Sequence, residues 1–178
     1  MSELIKFEVK PFAAARVIGK LVDCSLNEGA DNPVPGMWES MGQDGRLDFL
    51  KNMHERATPD PDMVGWLGGY NPESNSFTYI IGVLTRPDTP VPDGYAYRDI
   101  PDCEIGIAWI QGSDDNGDIY QGAHDINAKA MQESGYEYDH SAGGFEMEYY
   151  SHARFAIPAT NGEKTLVMEY YSPCRKKQ

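Results

Sequence analysis

The sequence predicts an α+β fold: a pseudo-twofold duplication of a strand-helix-strand-strand unit, forming a curved antiparallel sheet with two main helices. Three observations carry this. Hydrophobic periodicity switches repeatedly between two and three-to-four residues along the chain. The order of the periods occurs twice, with starts at Pro11 and Pro101, about 90 residues apart. Polar turn segments separate the strands into hairpins instead of long crossovers. The whole chain, residues 1–178, is expected to be one domain, with repeats over about 5–85 and 95–172.

Lys6 to Val22 carries Phe7 and Val9, a break at Pro11, then Val17, Ile18, Leu21 and Val22, which reads as a strand or a bulged pair of strands. Asn27 to Gly36, rich in Gly and Pro, is a loop. Met37 to Arg56 places Met37, Trp38, Met41, Leu47, Leu50 and Met53 mostly at helical spacing, with a reset near Gly42 to Gly45. Val64 to Tyr70 and Phe77 to Leu84 flank the turn Asn71 to Asn75 and form a hairpin. In the second half, Tyr95 to Gly112 is extended with a break at Pro101, Asp114 to Asp118 is a loop, and Ile119 to Ser134 is a helix stopped by Gly135. Phe145 to Tyr150 and Thr165 to Tyr171 form a second hairpin around Asn161-Gly162. Either repeat alone leaves a sheet edge and an apolar face uncovered; pairing the two covers both and creates a cleft, a common place for a ligand.

Composition excludes several classes. Forty per cent hydrophobic residues and 11% aromatic ones indicate a globular chain. No apolar run approaches the roughly 18 residues of a membrane helix, and the N-terminus lacks the pattern of a signal peptide, so a cytoplasmic protein is expected. Fifteen basic against 28 acidic residues give a net charge of −13, which repels phosphate backbones, so direct nucleic-acid binding is not expected. The basic cluster Arg175-Lys176-Lys177 reads as a frayed tail. Cys24, Cys103 and Cys174 form no CxxC pair and fit reduced thiols.

Metal and cofactor chemistry find no motif. Asp114, Asn116 and Asp118 have the spacing of a calcium loop, but position six is Ile119 instead of Gly and position twelve Asp125 instead of Glu. His54, His124, His140 and His152 lack paired zinc spacing. There is no nucleophile elbow, phosphate loop or dinucleotide fingerprint, and no cofactor is expected.

The strand Phe145 to Tyr150 is more informative. Alternation puts Glu146, Glu148 and Tyr150 on one face and Phe145, Met147 and Tyr149 on the other. A covered face would join two carboxylates and a phenol on a half-buried surface; a solvated face would make them ordinary exposed residues. Trp38, Trp66 and Trp109 fall on three elements, and Tyr79 sits on a hairpin. They serve either as core or as aromatic walls around a carboxylate, the arrangement a lipophilic cation prefers.

Several stretches together resemble the GyrI-like effector-binding domains, which occur free-standing or fused to AraC-type and MerR-type regulators. Pro11 to Lys20 is similar to the family's first strand, Pro35-Gly36-Met37-Trp38 to the start of its first helix, and Phe77 to Val83 to its most specific segment. Val91 to Tyr95 with Ile100 to Cys103 is similar to the junction into the second half, and Met147-Glu148-Tyr149-Tyr150 to a late ligand-facing strand. The chain departs from the family at Glu104-Ile105-Gly106, where Lys-Tyr-Ala is frequent. The resemblance implies a curved duplicated sheet and the binding of bulky apolar, often cationic compounds. It implies Glu148 and Tyr150 as ligand contacts; the strand alternation and the placement of the aromatics add Glu146, Trp38, Trp66, Trp109 and Tyr79 as further candidates. Glu148 is preferred over Glu146 as the ligand's carboxylate. Some relatives hydrolyse strained cyclopropane electrophiles; in that case Glu148 would act as base or orienting group and Tyr150 as proton donor. A gyrase-directed protein partner follows from the family name alone. With no basic helix-turn-helix segment before Ile5 or after Tyr171, a free-standing ligand module is expected.

Overall fold

The computed structural model describes residues 1–178. In chain order the elements are β1 Glu3–Phe12, β2 Ala15–Ser25, α1 Val34–Gln43, α2 Arg46–Lys51, β3 Met63–Asn71, β4 Ser76–Thr85, β5 Ala96–Ile100, β6 Cys103–Gly112, α3 Ala123–Glu133, β7 Tyr136–Tyr138, β8 Phe145–Tyr150, α4 Ile157–Thr160 and β9 Leu166–Lys176. The fold is α+β, and the strand pairs within each unit are antiparallel. No helix is long and apolar enough to cross a membrane.

The chain divides into two compact units. One comprises Ala14–Ile100, and the other joins Met1–Ala13 to Pro101–Gln178. These are not the linear repeats: β1, from the first repeat, lies in the unit of the second, and β5, from the second, in the unit of the first. Each unit nevertheless has one strand scheme. In the first, β5 pairs β2, β2 pairs β4 and β4 pairs β3. In the other, β1 pairs β6, β6 pairs β9 and β9 pairs β8.

In the Ala14–Ile100 unit, β4 is buried without interruption from Tyr79 to Thr85, so both of its faces are covered. Gly19 and Gly82 face each other across β2 and β4. A Cβ on Gly82 would lie 2.2 Å from the Ile18 carbonyl oxygen, and one on Gly19 would lie 1.9 Å from that of Ile81. The strands therefore approach more closely than any side chain permits. The helical segment breaks where the glycines predict: α1 ends at Gln43, Gly45 takes a left-handed φ of 85°, and α2 restarts at Arg46. Asp44 accepts the Arg46 backbone N–H at 3.1 Å and stabilises the restart.

The other unit departs from expectation in four places. The helix begins at Ala123 instead of Ile119, because Gly122 takes a left-handed φ of 75°. The short strand β7 has no sequence signal. The link from β8 to β9 is a π turn over His152–Ala156 followed by α4, in place of a tight turn. The basic C-terminus is ordered as strand through Lys176. Tyr136 and Glu137 pair with Lys176 and Arg175, and the Arg175 guanidinium lies 2.8 Å from the Glu137 carboxylate. That cluster is an edge pairing, not a frayed end.

Candidate functional site

The site is built on β8 and its partner β9. Glu148 pairs with Tyr170, while Tyr149 pairs with Glu169, which pairs in turn with Trp109 on β6. Paired residues share a face. One face therefore carries Glu146, Glu148, Tyr150, Tyr170 and Ser172, and the opposite face Tyr149, Tyr171, Glu169 and Trp109.

On the first face Glu146 is held by three side chains. The Tyr170 hydroxyl donates to Oε2 at 2.7 Å, and Ser172 Oγ donates to Oε1 at 3.1 Å. His124 Nδ1, from the first turn of α3, lies 2.9 and 3.1 Å from the two carboxylate oxygens. Behind them the fully buried Asn127 donates to Ser172 Oγ at 2.8 Å and to the Gly106 carbonyl at 3.4 Å, which docks α3 on the sheet. The Glu146 side chain is 18% exposed and that of His124 63%. The hydrogen bond to Glu146 raises the His124 pKa, against a smaller opposing effect of burial.

Two residues along, Tyr150 donates to Glu148 Oε2 at 2.5 Å, a short hydrogen bond. The Tyr150 ring meets Phe155 of the π turn edge-on at 4.9 Å and Tyr120 at 6.4 Å. Tyr120 donates to Asp114 at 2.6 Å, and burial raises its pKa. Tyr138 donates to the Phe145 carbonyl at 2.7 Å, and its pKa is pushed up to about 12, mainly by burial and then by Glu146. Tyr120 and Tyr138 therefore stay protonated near neutrality, and the carboxylates face hydrogen-bond donors and aromatic rings.

The opposite face is organised around Trp109. Arg154 lies over its ring at 4.3 Å and Lys6 at 4.6 Å. Its indole N–H donates to Glu8 at 3.3 Å. Arg154 also pairs with the buried Glu169 at 2.9 Å. Trp109 thus does not share the face of Glu148, and its ring already holds two cations. Tyr149 stacks on Tyr171 at 5.0 Å on the same side.

Three candidates belong to the Ala14–Ile100 unit. Trp38 is on α1. Trp66 pairs with Ile80 and Tyr79 with Leu67, which sets Trp66 and Tyr79 on opposite faces of their sheet. The Arg98 guanidinium lies 5.6 Å from the Trp66 ring. This unit also has an open surface hollow beside α2, lined by Asp48, Phe49, Asn52, Met53, Pro90 and Pro92.

No group of three or more His, Cys, Asp or Glu side chains is placed to hold a metal ion. The carboxylates of the Asp114–Asp118 loop are engaged otherwise: Asp114 with Tyr120, Asp115 with Lys164, and Asp118 with the N-terminal amine. The cysteines are free thiols. Burial pushes the Cys103 pKa up to about 11 and that of Cys174 to about 12, values that disfavour a thiolate nucleophile. The residues that sequence reasoning missed are His124, Asn127 and Ser172. The three-residue spacing of His124 and Asn127 places both on one face of α3, the available signal for them.

The sequence matches the GyrI-like small molecule binding domain over residues 5–175, and the chain belongs to that family. Among curated proteins none matches at a significant level. Solved structures share the fold at low identity. A structure of SAV2435 bound to tetraphenylphosphonium superposes with a TM-score of 0.67 at 13% identity, covering 96% of this chain and 94% of that one. A putative bacterial transcription regulation protein from Staphylococcus aureus MU50 gives 0.65 at 12%, covering 96% and 98%. The EcmrR C-terminal domain gives 0.61 at 14%, covering 97% and 98%.

Proposed function

We infer that this member of a small-molecule-binding family takes a bulky, apolar cation, with Glu148 as its principal counter-charge and Tyr150 beside it. The observation that carries the reading is the pair Glu146 and Glu148 on one half-buried sheet face, each accepting a hydrogen bond from a tyrosine hydroxyl. A carboxylate partly removed from water retains a strong preference for positive charge, and each aromatic face adds about 0.5–2 kcal/mol to a cation laid on it. The fold shared with SAV2435, whose structure contains tetraphenylphosphonium, supports the same ligand class.

Calorimetry with tetraphenylphosphonium and the neutral triphenylphosphine oxide tests this. Wild type is expected to prefer the cation. Glu148→Gln is expected to lose about 30-fold or more of the cation affinity, the equivalent of roughly 2 kcal/mol, with little change for the neutral compound. Equal binding of both compounds, or equal losses for both in the variant, contradicts the reading.

The short Tyr150–Glu148 hydrogen bond favours a second reading, acid–base chemistry on a strained cyclopropane electrophile. There Glu148 orients or activates the attacking water and Tyr150 supplies the proton. Turnover by wild type, lost in Glu148→Gln while binding persists, would move the assignment to this reading.

A further inference from the structure

We propose that His124 is a built-in competitor of the ligand, so that binding a cation on this face expels the proton from His124. This rests on the cation-binding reading above and adds a proton to it. His124 Nδ1 lies within 2.9–3.1 Å of both oxygens of Glu146. In its imidazolium form it is a cation already seated on one of the two carboxylates. Glu146 and Glu148 are separated by two strand residues, about 7 Å. A bulky cation centred on Glu148 therefore feels the state of Glu146. With His124 neutral, the face presents two negative charges. With His124 protonated, one is cancelled and a like charge stands beside the ligand.

The groups around His124 support this assignment. The carboxylates that act on it are Glu146 from β8 and Asp125 from its own helix. From β9 it meets the edge of the Tyr170 ring at 6.4 Å. β7 brings Glu137, neutralised by Arg175, and Tyr138, whose hydroxyl is committed to the Phe145 carbonyl. β6 contributes Glu104 at the far end of the sheet face, paired with Cys174. On β1, Lys6, Glu8 and Lys10 pair with Trp109, Ile107 and Ile105 and so belong to the opposite face. Glu146 is thus the main partner of the imidazole, and His124, largely exposed on the first turn of α3, can swing away when a ligand displaces it. The hydrogen bonds from Tyr170 and Ser172 hold Glu146 in place when it does.

The sign follows from linkage. Glu146 favours the protonated imidazole, and a bound cation opposes it, so the ligand lowers the His124 pKa. Affinity then falls as pH drops through the folded His124 pKa, by up to about tenfold per pH unit, and binding releases up to about one proton. Calorimetry with tetraphenylphosphonium, repeated in buffers of different ionisation enthalpy from about pH 6 to about pH 9, reads the proton count directly. The expected result is release approaching one proton at the acid end and none at the alkaline end, with both the release and the pH slope abolished in His124→Gln. NMR titration of the His124 ring in wild type, with and without saturating tetraphenylphosphonium, gives the same answer without a variant: the pKa falls on binding. Binding with no proton release and an unmoved His124 pKa overturns the proposal and leaves the cation reading standing. Release that persists in His124→Gln overturns it too, by assigning the proton to another group. Absence of tetraphenylphosphonium binding at every pH overturns both.

Discussion

Glu146 receives a phenol, a hydroxyl and an imidazole, while Glu148, two residues along, takes the Tyr150 phenol at 2.5 Å. The two carboxylates therefore answer differently to the same substitution. In Glu146→Gln the amide oxygen still accepts from one of Tyr170 and Ser172, the NH2 that replaces the other oxygen can only donate, and the charge that held the imidazolium is gone. The loss of cation affinity is expected to be about threefold or less below about pH 6, where His124 already cancels Glu146, and larger above about pH 8. Calorimetry at the two pH values checks this; a loss at Glu146→Gln as large as at Glu148→Gln at low pH would reverse the roles. Much of this face is legible in the sequence, since strict alternation from Phe145 to Tyr150 places Glu146, Glu148 and Tyr150 together. His124 is not, because its partner is 22 residues away on another element and no local spacing links an α3 histidine to a β8 carboxylate.

At the scale of elements, the strands are set by residues that look like interruptions. Gly19 and Gly82 face each other in apolar runs, where a Cβ on either would overlap the backbone of the facing strand. A methyl group at either has nowhere to go, because the atoms it meets are backbone and cannot rotate aside. Gly82→Ala is expected to destabilise the protein by about 2 kcal/mol or more, read as a lower urea midpoint with an unchanged m-value. A midpoint within error of wild type would mean the strands can separate without loss. The break between α1 and α2 is visible in Gly42 to Gly45, since a turn needing positive φ selects glycine. The π turn at His152–Ala156 is invisible, because its period matches neither a helix nor a strand. It is fixed by tertiary contacts, Phe155 against Tyr150 and Arg154 against Trp109 and Glu169.

At the scale of the whole molecule, a net charge of −13 decides what can approach. Arg175, in the one basic run, is tied to Glu137, and the cations Lys6, Lys10 and Arg154 are paired with carboxylates. Duplex DNA is therefore expected to show no salt-sensitive gel shift at micromolar protein in physiological salt; a shift that weakens as salt is added would contradict this. The duplication is legible as a repeated order of elements, but the exchange of β1 and β5 between units is not. Order along a chain states which elements exist, and pairing depends on long-range contacts that no window of sequence contains. A heteronuclear NMR titration with tetraphenylphosphonium tests most directly the proposal that the ligand surface is the Glu148 face of β8. The largest shifts are expected at Glu146, Glu148, Tyr150 and Tyr170, with the His124 ring moving alongside. Shifts confined to Asp48, Phe49, Asn52 and Met53, around the hollow beside α2, would contradict it.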